Sequence, residues 1–355
     1  MKSIGIRHIL IEFCMLIILA GIYFHPLNTV DKVNGESAEQ EGEESYINWV
    51  EFNVTYEALQ HAYDWDVETY EAEVHLDWIE MLAYLGAKYG GDFSKYKKSD
   101  LDALAEILTA GEETIESLTE SMQYYDYYAE AYNAVLGGMV GEYEIETTVE
   151  GAADDSETQW SQKYGLKAFS PVAKGYGYSD YDDFGVSRSY GYKRNHLGHD
   201  MMGLVGTPIV AVESGYIDVL GWNQYGGWRI GIRSFDGKRY YYYAHLRQNF
   251  PFKKSLEEGS VVTAGEVIGY MGHTGYSAKE NVNNIDETHL HWGLQLIFDE
   301  SQKEGNNEIW VDCYAITRFL SHNRSETWKE EETKEYYRTY EMKDPAVEEY
   351  EKNQD

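Results

Sequence analysis

Apolar side chains recur at helical spacing in the first part of the chain. Residues 78, 81, 82 and 85 are Trp, Met, Leu and Leu, and they fall on one face of a helix. A second series at 101, 104, 107 and 108 repeats the spacing, and no proline interrupts residues 46–140. We therefore predict a small helical accessory domain over residues 46–140, with its last long helix over about 113–136.

The pattern changes after about residue 165, where short apolar runs alternate with glycine-containing turns. Such runs occupy residues 208–212, 229–233, 239–246 and 267–271. Asp236-Gly237, between two of these runs, is typical of a β-hairpin. Runs that follow one another without intervening helical patterns favour an antiparallel sheet. The expected fold class is therefore α+β and multidomain, with a mainly antiparallel β domain over residues 166–321.

Charged segments separate these predicted domains. Residues 28–45 are polar and acidic, and residues 141–165 are acidic with several Gly, Ala and Ser. Both compositions are typical of linkers. Residues 322–355 are dominated by Glu and Lys, so we predict a charged tail that forms a solvated helix or stays loose.

The N-terminus carries a pattern that indicates location. Lys2 and Arg7 precede an apolar run over residues 9–24, and an acidic segment follows it. The positive residues are expected to stay in the cytoplasm. No small-x-small cleavage pattern follows Phe24, which favours an uncleaved membrane anchor over residues 1–27; a cleaved signal peptide is the alternative. Both alternatives send the rest of the chain out of the cytoplasm.

Composition narrows the classes of partner. The 355-residue chain has a formal net charge of −33, which disfavours a nucleic-acid partner because phosphate binding depends on excess Lys and Arg. Its two cysteines, Cys14 and Cys313, are far apart and neither has a CxxC partner. We therefore expect core packing, and not a disulfide, to stabilise the fold.

Two histidines are displayed together in the sequence His289-Leu290-His291-Trp292. In a strand, successive side chains point to opposite faces, so His289 and His291 share one face. Leu290 and Trp292 share the other face, which we expect to pack on a core. This arrangement places a metal ligand and a second imidazole side by side.

Two further clusters lie upstream in the same β region. His196 and Asp200 are four residues apart, and Gly198 between them favours a loop or strand edge over a helix. Imidazole nitrogen and carboxylate oxygen suit zinc, and a catalytic zinc site uses three protein ligands. His245 ends the tyrosine-rich strand over 239–246, where strict alternation puts it on the face of Tyr243 and Tyr241. We predict that His199 and His273 are structural or pocket-wall residues.

These clusters together resemble the lysostaphin/LytM-type zinc metallopeptidases, over about residues 184–298. The resemblance implies a LytM/duplicated-hybrid-motif-like fold in which His196, Asp200 and His291 hold zinc. It implies that His245 and His289 act on the zinc-activated water and the oxyanion, and it leaves open which of the two is the base. Tyr225 resembles a tyrosine that steadies the tetrahedral intermediate. The loop over 278–288 is longer than is usual in the family, which bears on substrate fit.

The implied function is a zinc-dependent endopeptidase that hydrolyses peptide bonds in bacterial peptidoglycan. The implied location is the cell envelope of a Gram-positive bacterium, with attachment to the membrane through residues 1–27. The alternative is a non-catalytic LytM-like scaffold, or a regulator of cell-wall hydrolysis or assembly. Residues 46–140 have no recognised motif, and wall-glycan binding, gating of the site and assembly with a protein partner stay open for them.

Overall fold

The computed structural model describes residues 46–149, 157–189, 193–303 and 307–354. The predicted anchor over 1–27 and the predicted linker over 28–45 lie outside these residues. Among the helices of the described ranges, none combines the length and the apolar character that crossing a bilayer requires.

A helical region opens the described chain. Its helices are α1 (Tyr56–Thr69), α2 (Trp78–Tyr89), α3 (Lys98–Thr109), α4 (Ile115–Thr119) and α5 (Tyr125–Leu136). The apolar face predicted for α2 is confirmed, because Trp78, Met81, Leu82 and Leu85 are all buried. The Asp77 side chain starts this helix by accepting hydrogen bonds from the backbone N–H groups of Ile79 and Glu80.

The helix predicted over residues 113–136 is divided in two. Thr114 and Ser117 form a capping box that starts α4, which ends after little more than one turn. Tyr124 then leaves the helical backbone conformation, at φ −120° and ψ 11°, before α5 begins at Tyr125. Helix α4 buries Ile115 and Thr119, and α5 buries a separate face that includes Tyr128, Tyr132 and Val135.

The predicted acidic linker over 141–165 is instead a hairpin, and this prediction is wrong. Strands β1 (Val140–Thr148) and β2 (Thr158–Leu166) pair antiparallel along their whole length. Tyr143 and Ile145 alternate with acidic residues along β1 and pack against a small apolar cluster around Phe169. Alternation outweighs the acidic composition here, because every second side chain reaches an apolar surface while the carboxylates face water.

An antiparallel sheet of eight described strands carries the second half of the chain. Its strands are β3 (Ser179–Asp180), β6 (His199–Met202), β8 (Gly215–Asn223), β9 (Gly227–Ser234), β10 (Arg239–Ala244), β11 (Val261–Val262), β13 (His289–Leu296) and β14 (Ile309–Val311). Their order in the sheet is β11–β8–β9–β10–β13–β6–β3, and β14 also pairs with β13. The α+β fold with an antiparallel β domain is thus confirmed.

Smaller elements surround this sheet. They are the pairs β4 (Ser187–Ser189) with β5 (Lys193–Asn195), β7 (Pro208–Val210) with β12 (Val267–Tyr270) and β15 (Thr327–Lys329) with β16 (Tyr336–Arg338), together with α6 (Tyr314–Leu320), β17 (Met342–Lys343) and α7 (Pro345–Gln354). Strand β17 pairs with β1 and so extends the hairpin to a three-stranded sheet.

The predicted charged tail is therefore mostly wrong as well, since much of it is folded against the rest of the chain. Asp344 is buried and accepts hydrogen bonds from Lys167 at 2.8 Å and from Ser214 at 2.7 Å. Arg338 is buried and donates to the carbonyl oxygen of Ala264 at 3.0 Å. Specific partners for these charges, which composition does not reveal, allow the segment to pack. Helix α7 at the end has no buried residue among those described, as expected for a solvated helix.

One buried arginine connects the helical region to the sheet. Arg239, at the start of β10, binds Glu213 through two hydrogen bonds of 2.7 and 3.1 Å. The same guanidinium donates to the carbonyl oxygens of Asn133 and Ala134 at the end of α5, at 3.3 and 3.1 Å. Tyr241 adds a third hydrogen bond to Glu213 at 2.6 Å. These contacts satisfy the last carbonyls of the helix and fix its position on the sheet.

We expect Arg239→Met to lower the free energy of unfolding by about 3–5 kcal/mol, because it leaves the Glu213 carboxylate buried without its partner. Denaturant unfolding measures this change. Lys334→Met is the control, since its ion pair with Glu331 is largely exposed and contributes at most about 1 kcal/mol. Equal effects of the two substitutions would contradict the role given to Arg239.

Candidate metal centre

Three side chains converge above the sheet at the centre of the β domain. The Nε2 atom of His196 lies 3.0 Å from Oδ1 of Asp200 and 3.1 Å from Nδ1 of His291. The Asp200 oxygen lies 2.8 Å from the His291 nitrogen, which closes the triangle. His196 and Asp200 are buried, and His291 keeps 16% of its side chain exposed. The structure thus brings together the three residues predicted as metal ligands.

Strand pairing produces this convergence. Asp200 on β6 stands directly opposite His291 on β13, so their side chains leave the sheet on the same face. His196 lies in the short connection between β5 and β6, four residues before Asp200. The remaining side chains of β13 alternate as predicted, with Leu290, Trp292 and Leu294 buried in the core.

The triangle has the size that a zinc ion requires. Ligand atoms about 2.05 Å from a tetrahedral zinc lie about 3.3 Å apart, close to the 2.8–3.1 Å separations here. Two imidazole nitrogens and one carboxylate oxygen leave a fourth position for a water or substrate oxygen. The residues therefore fit zinc, and their role as ligands stays a prediction.

Asp183 and Arg188 support the triangle from outside, and no sequence pattern predicts either of them. The carboxylate of Asp183 accepts a hydrogen bond from Nδ1 of His196 at 2.9 Å, which directs the other ring nitrogen to the triangle. Arg188 donates to Oδ2 of Asp200 at 2.5 Å and also pairs with Asp183. Neither residue belongs to a recognisable motif, so only the folded β4–β5 region shows their role.

The charge state of Asp200 follows from these contacts. Burial alone would raise the pKa of its carboxyl group, but the close side-chain contacts with His196 and His291 lower it by more. The pKa of Asp200 is therefore held well below its usual range. An ionised carboxylate is the form that binds a metal cation.

His245 reaches this site by a route that strand alternation does not predict. Regular alternation would put it on the face of Tyr241 and Tyr243, but both of those tyrosines are buried in the core. His245 has φ +62°, in the left-handed region, immediately after the last residue of β10. This backbone turn brings its ring to 4.8 Å from the His289 ring and 5.9 Å from the His291 ring. The predicted shared face with Tyr241 and Tyr243 is wrong.

Hydrogen bonds fix the orientation of both additional histidines. Nδ1 of His245 lies 2.9 Å from the carbonyl oxygen of Thr274, and Nδ1 of His289 lies 2.9 Å from that of Glu287. A carbonyl oxygen only accepts, so Nδ1 carries the proton in each ring. In the neutral rings Nε2 is then left as a proton acceptor.

Burial favours the neutral form of the rings that face the triangle. Burial lowers the pKa of His245 well below its ordinary value, and the nearby His289 and His291 lower it further. Burial also lowers the pKa of His291, against the opposing effect of Asp200. Neutral imidazole is the form that accepts a proton or binds a metal.

Tyr225 stands at the rim between two cavities. A groove of about 480 Å³ extends from His196, His245 and His291 along the sheet. A second cavity of about 450 Å³ lies on the other side of Tyr225, and Ala278, Asn284 and Asp286 of the long loop line it. The tyrosine is 42% exposed, so its ring borders the space in which a bound chain would lie.

The long loop over 278–288 is fastened to the segment that follows His245. Oδ1 of Asn281 accepts hydrogen bonds from the Trp228 indole at 2.9 Å and from the Asn249 backbone at 2.8 Å. The carbonyl oxygen of Asn281 accepts another from Gln248 at 2.6 Å. The loop therefore forms a fixed wall of the second cavity.

His199 and His273 lie outside the triangle. The His199 ring is on the core side of β6, bonded to Asp180 at 2.9 Å, because its partner across the pair is Trp292. Nδ1 of His273 bonds to the carbonyl oxygen of Ile285 at 2.7 Å and so helps to hold the long loop. These contacts agree with the structural roles predicted for both.

Comparison with known proteins finds similarity in this region. Residues 194–304 match the model of peptidase family M23. The L-Ala–D-Glu endopeptidase of Bacillus subtilis is 36% identical over 148 residues, which are 42% of this chain and 41% of the relative. Lysostaphin of Staphylococcus staphylolyticus is 33% identical over 138 residues, which are 39% of this chain and 25% of the relative. The chain thus spans less than half the length of these relatives.

A solved structure aligns with more of the chain. It is that of a candidate glycyl-glycine endopeptidase LytM from Ruminococcus gnavus, 24% identical, with a TM-score of 0.49. The alignment covers 79% of this chain and 92% of that one.

Gly198 offers a test of how closely the site is packed. A Cβ atom at this position would lie 2.6 Å from the His291 ring and 2.9 Å from the carbonyl oxygen of Trp292. We expect Gly198→Ala to displace His291 and to weaken zinc binding by about 10–100-fold, as loss of groups that orient ligands does. Competition with a fluorescent chelator measures the affinity.

Gly221→Ala is the matched control, because a Cβ atom on this β8 residue meets no atom within 4 Å. Its zinc affinity should equal that of the unmodified chain. Unchanged affinity in Gly198→Ala would show that His291 is not held where the metal needs it.

Proposed function

We propose that this chain is a zinc-dependent endopeptidase that hydrolyses peptide bonds in bacterial peptidoglycan. The observation that carries the proposal is the triangle of His196, Asp200 and His291, with His245 and His289 beside it. The M23 domain and the named endopeptidase activity of its relatives support the same reaction class. Because the match spans only part of each relative, the substrate is inferred from chemistry and family together.

His196, Asp200 and His291 would hold the metal. When bound, zinc would act as a Lewis acid that polarises the scissile carbonyl group and lowers the pKa of a water molecule to near neutral pH. Asp183 and Arg188 keep His196 and Asp200 in position, so the ligand set needs little rearrangement on binding. Burial of the triangle strengthens its electrostatic effect, because water screens it less.

His245 and His289 would move the protons of the reaction. In each ring the Nδ1–H group donates a hydrogen bond to a backbone carbonyl oxygen. Nε2 is therefore the nitrogen that can accept a proton. One ring can take the proton of the attacking water, and the other, once protonated, can stabilise the oxyanion. Both rings are held in the same tautomer, so either assignment is compatible with their contacts. Tyr225, at the rim of the groove, would steady the tetrahedral intermediate.

We also propose that the enzyme acts in the cell envelope, outside the cytoplasm. Residues 1–27 would attach it to the membrane, and the peptide stems of peptidoglycan would be its substrate. A protein partner of residues 46–140 and the division into a helical accessory domain and a peptidase domain stay predictions. The described residues that line the groove lie between Arg194 and Trp310, and none of them belongs to the helical region. The groove lining therefore gives no support to gating by that region.

The test begins with His291. We expect His291→Ala to lose both stoichiometric zinc and hydrolysis, because one vertex of the triangle is removed. Metal analysis of the purified protein measures zinc, and release of new amines from peptidoglycan, with and without chelator, measures hydrolysis. If His291→Ala still held stoichiometric zinc, the ligand assignment would be wrong.

A second variant separates catalysis from metal binding. His245→Ala should keep zinc and lose turnover by about 10²–10⁴-fold, as expected when a proton-transferring group is removed. His61→Ala in α1 is the control, because this histidine bonds to Tyr96 and Asp102 and does not line the groove; it should retain both zinc and turnover. No release of amines by the unmodified chain under any condition would favour the scaffold alternative.

A further inference from the structure

The ring of His245 reaches the metal centre only because its backbone is in an unusual conformation. Its φ of +62° lies in the left-handed region, which is uncommon for a residue that has a Cβ atom. A residue stays in such a region only where several contacts of the surrounding structure require it. The contacts around His245 therefore decide where its ring lies.

Strand β9 and Thr274 hold the first end of this turn. The backbone N–H group of His245 donates to the carbonyl oxygen of Gly226 at 2.7 Å. The Thr274 hydroxyl group donates to the carbonyl oxygen of Leu246 at 2.6 Å and accepts a hydrogen bond from the Trp228 backbone at 3.1 Å. The Thr274 carbonyl oxygen accepts a hydrogen bond from Nδ1 of His245 at 2.9 Å. Thr274 thus fixes both the backbone of the turn and the ring.

Asn281 of the long loop holds the other end of the segment that His245 begins. Its Oδ1 atom accepts hydrogen bonds from the Trp228 indole at 2.9 Å and from the Asn249 backbone at 2.8 Å. Its Nδ2 atom donates to Oδ1 of Asn249 at 2.7 Å, so the two asparagines bind each other in both directions. Its backbone carbonyl oxygen accepts a hydrogen bond from Gln248 at 2.6 Å. One loop residue therefore connects the segment after His245 to β9.

Both asparagines of this contact also have a left-handed backbone. Their φ angles are +65° at Asn249 and +61° at Asn281, and asparagine tolerates this region better than most other residues. The segment from His245 to Asn249 thus begins and ends on a left-handed residue. The side-chain hydrogen bonds of Asn281 hold the second of these residues. Their loss frees the segment to relax towards an ordinary backbone conformation, and His245 moves with it.

These contacts form a closed ring around the segment. From His245 they pass through Thr274, Trp228 and Asn281 to Asn249, and the chain itself leads back to His245. The hydrogen bonds described for Asn281 do not reach the metal triangle, whose side chains come from the β5–β6 connection, β6 and β13. Asn281 thus acts on the position of His245 and leaves the metal ligands unchanged.

We propose that Asn281 is a positioning residue that holds His245 in the orientation it needs for proton transfer. The consequence for catalysis rests on the proposed peptidase function, because His245 moves protons only in that reaction. The long loop then has a second role beside forming the wall of a cavity. Through Asn281 it keeps an imidazole at the metal centre.

The test compares three substitutions in the long loop. Asn281→Gly removes the side-chain hydrogen bonds without adding backbone strain, because glycine adopts a φ of +61° readily. Asn281→Asp keeps an oxygen acceptor for the Trp228 indole and the Asn249 backbone, and aspartate also tolerates the left-handed region. Glu280→Gly is the matched control, since it puts the same residue at an exposed neighbouring position outside the lining of both cavities.

NMR of the metal-free full chain with isotope-labelled histidine measures how firmly His245 is held. The ring is buried and its Nδ1 proton is bonded to the Thr274 carbonyl oxygen, so this proton exchanges slowly with water. His245→Ala identifies its resonance by removing it. We expect Asn281→Gly to accelerate the exchange by about tenfold or more, because local opening becomes easier. Asn281→Asp should retain most of the protection, and Glu280→Gly should retain all of it.

Hydrolysis and zinc content complete the test. Asn281→Gly should lower the maximal rate of amine release from peptidoglycan by about 10–100-fold, as misplacement of a reacting group does. The half-saturating amount of peptidoglycan should not change, because Asn281 lines neither cavity. Zinc should stay stoichiometric, which also shows that the variant is folded. Asn281→Asp should recover most of the rate.

The outcomes separate this inference from the peptidase function. Unchanged exchange of the His245 proton in Asn281→Gly would overturn the inference whatever the rate of hydrolysis, and faster exchange with an unchanged rate would overturn it as well. Loss of zinc in Asn281→Gly would also count against it, because Asn281 would then act on the metal triangle. Faster exchange, in a chain whose unmodified form releases no amines, would support the hold on His245 and contradict the peptidase function.

Discussion

The candidate metal centre depends above all on the register of β13 between β6 and β10. This pairing sets Asp200 opposite His291 and Ala244 opposite His291 on the other side. A slip of one residue would turn His289 and His291 into the core and Trp292 out to the groove, because side chains alternate along a strand. The buried row of Leu290, Trp292 and Leu294 opposes such a slip, since exposing it would cost the burial of three large apolar side chains. Core packing on one face of the strand thus holds the metal ligands on the other.

Several parts of this arrangement follow from sequence patterns. Alternation around His289 and His291 predicts which side chains reach the site, and the structure agrees because β13 is regular along its length. Helical spacing likewise predicts the buried face of α2. His245 departs from its pattern, because a left-handed backbone at one residue reverses the direction of a side chain and no periodicity encodes it. Asp183 and Arg188 reach the triangle through folding of the β4–β5 region, so their sequence neighbours give no indication of their role.

The acidic segments show that amino-acid composition alone does not predict whether a segment is folded. Acidic residues with Gly, Ala and Ser predict a linker over 141–165, and abundant Glu and Lys predict a tail over 322–355. Strands β1 and β2 and the segment up to β17 are nevertheless folded. Their charges find defined partners, such as Lys167 for Asp344 and Lys343 for Glu144. Arg239 likewise pairs with Glu213 and so connects α5 to the sheet. These partners are distant in sequence. Composition therefore predicts that the charged side chains are solvated, whereas in the fold they form ion pairs and hydrogen bonds.

The central claim is that His196, Asp200 and His291 hold one zinc ion while His245 and His289 stay unligated. X-ray absorption spectroscopy at the zinc edge of the purified full chain tests it most directly. We expect one zinc per chain, with two imidazole nitrogens and oxygen donors at about 2.0–2.2 Å. A first shell with three or four imidazoles, or a chain that holds no zinc when zinc is supplied, would contradict it.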